Sequence, residues 1–103
     1  MKARSAQEAR LLEQVPNIGP SIANDLRLIG ITKASQLANQ DPYALYEAIN
    51  RASGTRHDPC LCDCLIAAVR FMEGSEPVPW WEYTAERKHH FSAESPAGAF
   101  SEK

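Results

Sequence analysis

The stretch that decides the fold covers residues 11–26 and reads LLEQVPNIGPSIANDL. One apolar segment ends within it, a short break follows, and a second apolar segment begins. Pro20 suits the first position of a helix, because that position has no intrahelical partner for an N–H group. Asn17 and Gly19 are the residues of the break best suited to positive φ, which a tight hairpin requires. We therefore predict two helices joined by a hairpin, with Ile18 pointing inward as its anchor.

Similar start and stop signals divide the chain up to Gly74 into five predicted helices. Ser5 and Glu8 form a capping-box pattern at the start of the first, and an Asp-Pro pair starts each of the last two. Four of the predicted helices cover about residues 6–14, 20–29, 42–53 and 59–73. The third in chain order is a short segment that Thr32 caps and that contains Leu37. No segment alternates apolar and polar residues over a useful length, so we predict a compact, all-α, five-helix domain.

Length and composition limit the class of protein. The chain has 103 residues, which is the size of one domain and too short for a large enzyme, so we predict a non-enzymatic protein. The formal net charge of −2 argues against a generally basic nucleic-acid coat protein but leaves room for a local basic patch. No long apolar run or apolar signal core is visible, so we expect a cytoplasmic protein with no membrane contact.

The character of the sequence changes after Gly74. Pro77 and Pro79 favour an extended path into an aromatic cluster that begins with Trp80 and Trp81. We expect this cluster to close the core, with at least one tryptophan buried; stacking on unpaired bases is the alternative. We predict a single domain over residues 1–87 and a disordered tail over residues 88–103, which are rich in Ser, Ala, Gly and Glu.

Residues 11–26 resemble the helix-hairpin-helix motif. The resemblance implies that backbone N–H groups at the start of the second helix bind phosphate oxygens of a nucleic acid. The sequence departs from the motif at Asn17, where a Gly is usual, and at Ser21, where a Lys or Arg is frequent. A tight helix–helix turn without phosphate binding is the alternative.

A second hairpin is predicted where residues 52–59 join two helices around Gly54. Together with the first hairpin, and with the third helix as connector, it would match the paired helix-hairpin-helix (SAM-like) arrangement. Arg56 and His57 would then bring positive charge to the same face as Gly19. A plain loop with two solvated polar residues is the alternative.

The region from Leu11 to Arg87 also resembles a narrower group, the pathogenicity-locus family, whose members are often labelled mitomycin-resistance proteins. The resemblance is carried by three segments, PNIG at residues 16–19, DPC at residues 58–60 and WWEY at residues 80–83. It implies a DNA-linked role, with no established chemistry to assign to individual residues.

Three cysteines stand at alternate positions, Cys60, Cys62 and Cys64. On a helix, Cys62 points roughly 160° away from Cys60, which does not suit a tetrahedral zinc site, even with His57 nearby. We therefore predict structural, reduced thiols, with no metal and no cofactor; a metal or redox use is the alternative. If one thiol is reactive, Cys60 at the helix N-terminus is the candidate, since that position lowers a thiol pKa.

These patterns predict a DNA-binding accessory protein without sequence specificity, which contacts the phosphate backbone weakly. Residues 1–54 carry six basic and five acidic side chains, against five and eight in residues 55–103. The alternative is a protein-interaction module whose degenerate hairpin no longer binds DNA, and a protein partner is possible under either hypothesis. The candidate phosphate-binding residues are Asn17, Ile18, Gly19, Ser21, Lys33 and Arg56.

Overall fold

The computed structural model describes residues 2–94. Within that range the chain forms helices and 3-10 turns and no strand, so the all-α prediction is confirmed there. The helices are α1 (Pro20–Leu28), α2 (Pro42–Ser53), α3 (Pro59–Met72) and α4 (Thr84–Glu94); the 3-10 turns are Ala6–Glu8, Leu12–Gln14, Ala34–Leu37 and Trp80–Tyr83. None of the helices in residues 2–94 combines the length and the hydropathy needed to cross a bilayer.

Helix α3 forms the centre of the fold. All residues from Leu61 to Val69 are buried, including Asp63. A helix that is apolar nearly all round must be covered on every side, and α2, α4 and two of the 3-10 turns pack against it. Helix α1 packs against α2 and against the 3-10 turn Leu12–Gln14, and these contacts hold the hairpin on the domain.

The two Asp-Pro signals start helices as the sequence predicts. The Asp41 carboxylate accepts from the amides of Tyr43 and Ala44 at 2.9 and 3.4 Å. The Asp58 carboxylate accepts from the amide of Cys60 at 2.9 Å. These bonds satisfy N–H groups that have no intrahelical partner, so both helix starts are fixed locally.

The prediction of a first helix over residues 6–14 is wrong. Two 3-10 turns occupy the segment, separated by extended backbone at Ala9 and Leu11. The side-chain oxygen of Gln14 accepts from the amides of Arg10 and Leu11, and Ser5 makes no capping bond. The physical reason is the apolar period, which is three rather than 3.6 residues. The residues that follow this period and face the core are Ala3, Ala6, Ala9, Leu12, Val15 and Ile18.

The third predicted helix is a 3-10 turn, Ala34–Leu37, and Thr32 does not cap it. Lys33 occupies the N-cap position without a side-chain bond to the turn. The side chain of Gln36 instead accepts from the amides of Thr32 and Lys33, at 2.7 and 2.9 Å. Burial of Ala34 and Leu37 fixes this short connector on α3.

Helix α4 continues beyond the predicted end of the domain at Arg87. The composition predicts a disordered tail from residue 88, whereas the helix runs through Lys88 to Glu94. Its anchor includes the ring of His90, which stacks on Tyr43 with 3.5 Å between ring centroids. Residues 95–103, the rest of the predicted tail, lie outside the described residues.

The tryptophans do not close the core as predicted. Trp80 is half-buried, and 61% of Trp81 is exposed. The buried aromatic side chains at the centre are Tyr46 and Phe71, which come from α2 and α3. The aromatic turn at residues 80–83 packs against α3, but none of its residues is fully buried.

Candidate nucleic-acid interface

The hairpin between the turn Leu12–Gln14 and α1 depends on Asn17 rather than Gly19 for its reversal. Asn17 has φ 74°, in the left-handed region that asparagine tolerates better than most residues. Gly19 has φ −94° and ψ −177°, which is extended backbone, so the prediction of positive φ is correct for Asn17 and wrong for Gly19. Ile18 is fully buried and its amide donates to the Val15 carbonyl at 3.1 Å. Ile18 therefore anchors the turn, as predicted.

The N-terminus of α1 has no side-chain cap, in contrast with α2 and α3. Gly19 stands at the N-cap, and the first bond into the helix runs from the Ala23 amide to the Gly19 carbonyl at 2.9 Å. The amides of Ser21 and Ile22 precede that bond, and the Ser21 side chain is exposed. A Cβ built on Gly19 meets no atom within 4 Å, so space is open in front of these amides.

A cation that sequence reasoning missed lies against the same hairpin. The Lys2 ammonium donates to the carbonyls of Glu13, Val15 and Ile18, at 2.8, 3.1 and 2.5 Å. Burial lowers the pKa of Lys2, and the Glu13 carboxylate opposes that shift. The hairpin thus carries a fixed positive charge even though Ser21 stands where a cation is frequent in the motif. No side-chain pattern reveals this, because all three acceptors are main-chain atoms.

The side chain of Asn17 is engaged within the protein. Its Nδ2 donates to the Val78 carbonyl at 2.8 Å, and its Oδ1 accepts from the Trp80 amide at 3.2 Å. These bonds tie the extended segment before the aromatic turn to the hairpin. Among the candidate phosphate-binding side chains, Asn17 and Ile18 therefore have internal roles, whereas Ser21 faces solvent.

The second hairpin, predicted over residues 52–59, forms a loop of residues 54–58 between α2 and α3, and this loop lies next to α1. Gly54 ends α2 with φ 69°. The His57 imidazole lies 3.8 Å from the carboxylate of Asp25, which is on α1, and its Nδ1 is 2.8 Å from the side-chain oxygen of Asn50. Arg56 is exposed, so it offers a positive charge to solvent from this loop.

Lys33 is distant from both hairpin loops along the chain, and its contacts lie elsewhere. The amide of Ala34 donates to the Arg10 carbonyl at 3.1 Å, which sets the Lys33–Ala34 peptide against the segment before the turn Leu12–Gln14. The Lys33 side chain is exposed. No described contact joins Lys33 to the start of α1.

The cysteines belong to the core helix. Burial raises the pKa of Cys62 to about 12 and that of Cys64 to about 11. Burial and then the Asp58 carboxylate raise the pKa of Cys60, which argues against the alternative of a reactive thiol at this helix N-terminus. Among residues 2–94, no three His, Cys, Asp or Glu side chains converge on a point suited to a metal ion.

Comparison with known proteins adds two findings. A sequence profile of the family described as "Pathogenicity locus" matches residues 5–89. A mitomycin resistance protein, McrB, from Streptomyces lavendulae is 45% identical over 83 residues, which are 81% of this chain and 79% of that protein. No solved structure matches the chain. The matched range includes the hairpin, the core helix and the aromatic turn.

Proposed function

The chain belongs to the pathogenicity-locus family, and for this member of it we propose the function of a DNA-binding accessory protein without sequence specificity. The residues that would carry the function surround the hairpin between Leu12–Gln14 and α1. We interpret this region as a helix-hairpin-helix motif whose first helix is reduced to a 3-10 turn. The loop between α2 and α3 would be its paired hairpin, and the approach of His57 to Asp25 supports that pairing.

The observation that carries the proposal is the combination of an uncapped helix start and a fixed cation. The Ser21 and Ile22 amides lie ahead of the first bond of α1, and Gly19 leaves the space before them open. The Lys2 ammonium lies on the same hairpin, at the Ile18 carbonyl. Amides at a helix N-terminus and a nearby cation both favour an anion, and a phosphate oxygen is the anion that a DNA backbone offers.

The mechanism would be backbone recognition. Amide and hydroxyl donors of Ser21 would hold one phosphate, Lys2 would add electrostatic attraction, and the exposed Arg56 would reach a second phosphate from the paired loop. None of these groups reads a base edge, so affinity would not depend on sequence. Binding of this type is weak, on the order of 10⁻⁴ to 10⁻⁶ M at physiological salt.

We further propose that DNA binding contributes to mitomycin resistance. The relative from Streptomyces lavendulae, 45% identical over 83 residues, is named for that resistance. Survival of cells exposed to mitomycin would compare the wild-type chain with Gly19→Asp, a variant that fills the space before the α1 amides. If both proteins protect the cells equally, the hairpin does not contribute to the resistance.

A protein-interaction module is the second candidate function, and two leucines favour it. Leu11 and Leu28 expose 61% and 55% of their surface, which is apolar area that a protein partner would cover. Under this function, Leu11→Ser and Leu28→Ser would weaken association with a protein partner, and DNA would not bind.

The test of the proposed DNA binding is a titration of labelled duplex DNA at several salt concentrations. Two duplexes of unrelated sequence should bind equally, and affinity should fall steadily with salt from about 50 to 200 mM. Absence of binding at about 50 mM salt, where electrostatic contacts are strong, would contradict the proposed function. A marked preference for one duplex sequence would contradict the lack of specificity.

A further inference from the structure

Trp81 is a large aromatic side chain that the fold leaves in solvent. It exposes 61% of its surface, the same fraction as Leu11. Trp80 packs edge-on against it, with 5.6 Å between ring centroids and an angle of 82° between ring planes. This T-shaped contact orients the Trp81 indole without covering it.

The turn that carries Trp81 is held firmly at both ends. At its start, the Trp80 amide donates to Asn17 in the hairpin. Immediately after it, the Thr84 hydroxyl donates at 2.7 Å to Asp63, which is fully buried in α3. A side chain on such a turn loses little further freedom when it binds a ligand, so an exposed indole here is already arranged for contact.

We propose that Trp81 is a stacking platform for an unpaired base of the DNA strand whose backbone lies at the hairpin. The substrate class is then DNA with unpaired bases beside duplex, such as a gap or a single-stranded junction, rather than intact duplex. This inference rests on the proposed function and adds to it a preference among DNA structures. Stacking on an aromatic side chain tolerates any base, since every base has a π-face, and so agrees with binding without sequence specificity.

The location of Trp81 favours a base over an apolar protein surface. Trp81 follows directly after Trp80, whose amide is bonded to Asn17 only two residues before Gly19. One Cα–Cα step is about 3.8 Å, so the indole begins within a short reach of the hairpin. The Lys2 ammonium and the uncapped start of α1 lie on that same hairpin and attract anions. A ligand with a phosphate next to an aromatic ring satisfies both features.

The experiment compares a duplex carrying a short single-stranded gap with an intact duplex of the same sequence. Wild type should bind the gapped duplex roughly tenfold more tightly, and Trp81→Ala should remove that advantage while leaving intact-duplex affinity unchanged. Trp81→Phe keeps a stacking face and should retain most of the preference. Leu28→Ala is the matched control, since it truncates another exposed apolar side chain, at the opposite end of α1 from the hairpin.

A fluorescence measurement identifies the ring that stacks. In a Trp80→Phe background, Trp81 is the only tryptophan in the chain, and the gapped duplex should quench its emission more than the intact duplex does. Equal affinity for both duplexes, with no effect of Trp81→Ala, would overturn the stacking site and leave the proposed duplex binding standing. No binding of either duplex at about 50 mM salt would instead contradict the proposed function, and Trp81 would then belong to a protein interface.

Discussion

The side-chain oxygen of Asn17 accepts a hydrogen bond at 3.2 Å from the amide of Trp80, which lies 63 residues further along the chain. The same side chain donates to the carbonyl of Val78 at 2.8 Å. One amide group therefore bonds on both sides of Pro79, which has no N–H of its own. Because Asn17 also makes the left-handed turn of the hairpin, a single residue joins the hairpin to the aromatic turn.

Asn17→Asp tests this link. The change replaces a donor with a second acceptor that faces the Val78 carbonyl, so the free energy of unfolding should fall by about 1–3 kcal/mol in urea denaturation. Asn24→Asp is the matched control, since it adds the same charge on α1 while its Oδ1 still accepts from Arg27; its effect should stay within about 0.5 kcal/mol. If Asn17→Asp is as stable as the wild type, the link between the hairpin and the aromatic turn contributes nothing to the free energy of unfolding.

The buried carboxylate of Asp63 should make α4 essential to the fold. Arg87 Nε lies 2.8 Å from it, and the Arg87 side chain is only 16% exposed. Arg87→Met should cost about 3–5 kcal/mol of unfolding free energy, because it leaves the buried carboxylate without a counter-charge, with the Thr84 hydroxyl still bonded to it. In an Asp63→Asn background, where no charge remains, the same change should cost much less. Equal costs in the two backgrounds would exclude a direct ion-pair contribution.

The cysteines should react slowly in the native protein and faster as pH rises. All three pKa values are raised, to about 12 for Cys62 and about 11 for Cys64, mainly by burial. The thiolate is the reactive form, so the alkylation rate should rise about tenfold per pH unit from about pH 6 to 8 without a plateau. Cys60, which is the least buried, should react first. A plateau below about pH 8 would reveal an activated thiol and reopen a redox role.

Gly19→Asp should stabilise the protein and weaken DNA binding at the same time. The extended backbone of Gly19 and the open space around it suit a capping side chain. An aspartate there would cap the α1 amides and interact favourably with the helix dipole, so stability should rise by about 0.5–1 kcal/mol in thermal or urea unfolding. It would also occupy the proposed phosphate position, so duplex affinity should fall roughly tenfold or more.

Gly19→Asn is the control that separates capping from charge. An asparagine caps the same amides without repelling a phosphate, so it should give a similar gain in stability and a smaller loss of affinity. If Gly19→Asp folds with its added stability and binds duplex DNA as wild type does, the start of α1 is not the phosphate site.

The helix starts could be predicted from the sequence because their signals are local. Asp41 and Asp58 each precede a proline, and both carboxylates cap the helix that follows. Pro20 likewise begins α1, and Gly54 ends α2 in the left-handed conformation. In each case, the residues that decide the conformation lie within four positions of one another, so neighbouring sequence was sufficient.

The features that could not be predicted depend on contacts between distant segments. Lys2 binds main-chain carbonyls up to 16 residues away, which leave no trace in side-chain patterns. The segment before Asn17 is predicted as an α-helix, but its apolar period is three and Leu11 is largely exposed. Helix α4 has a polar sequence typical of a tail, and its ion pair between Arg87 and the buried Asp63 holds it on the core.

The most direct test of the central claim, that the hairpin binds the DNA backbone, is the salt dependence of duplex binding by Lys2→Met. Lys88→Met is the matched control, since it removes an exposed lysine from α4. If the Lys2 charge displaces one counterion from the DNA backbone, its loss should make the log–log salt slope shallower by about 0.9 and lower the affinity, while Lys88→Met changes neither. A folded Lys2→Met protein with wild-type slope and affinity would contradict the account.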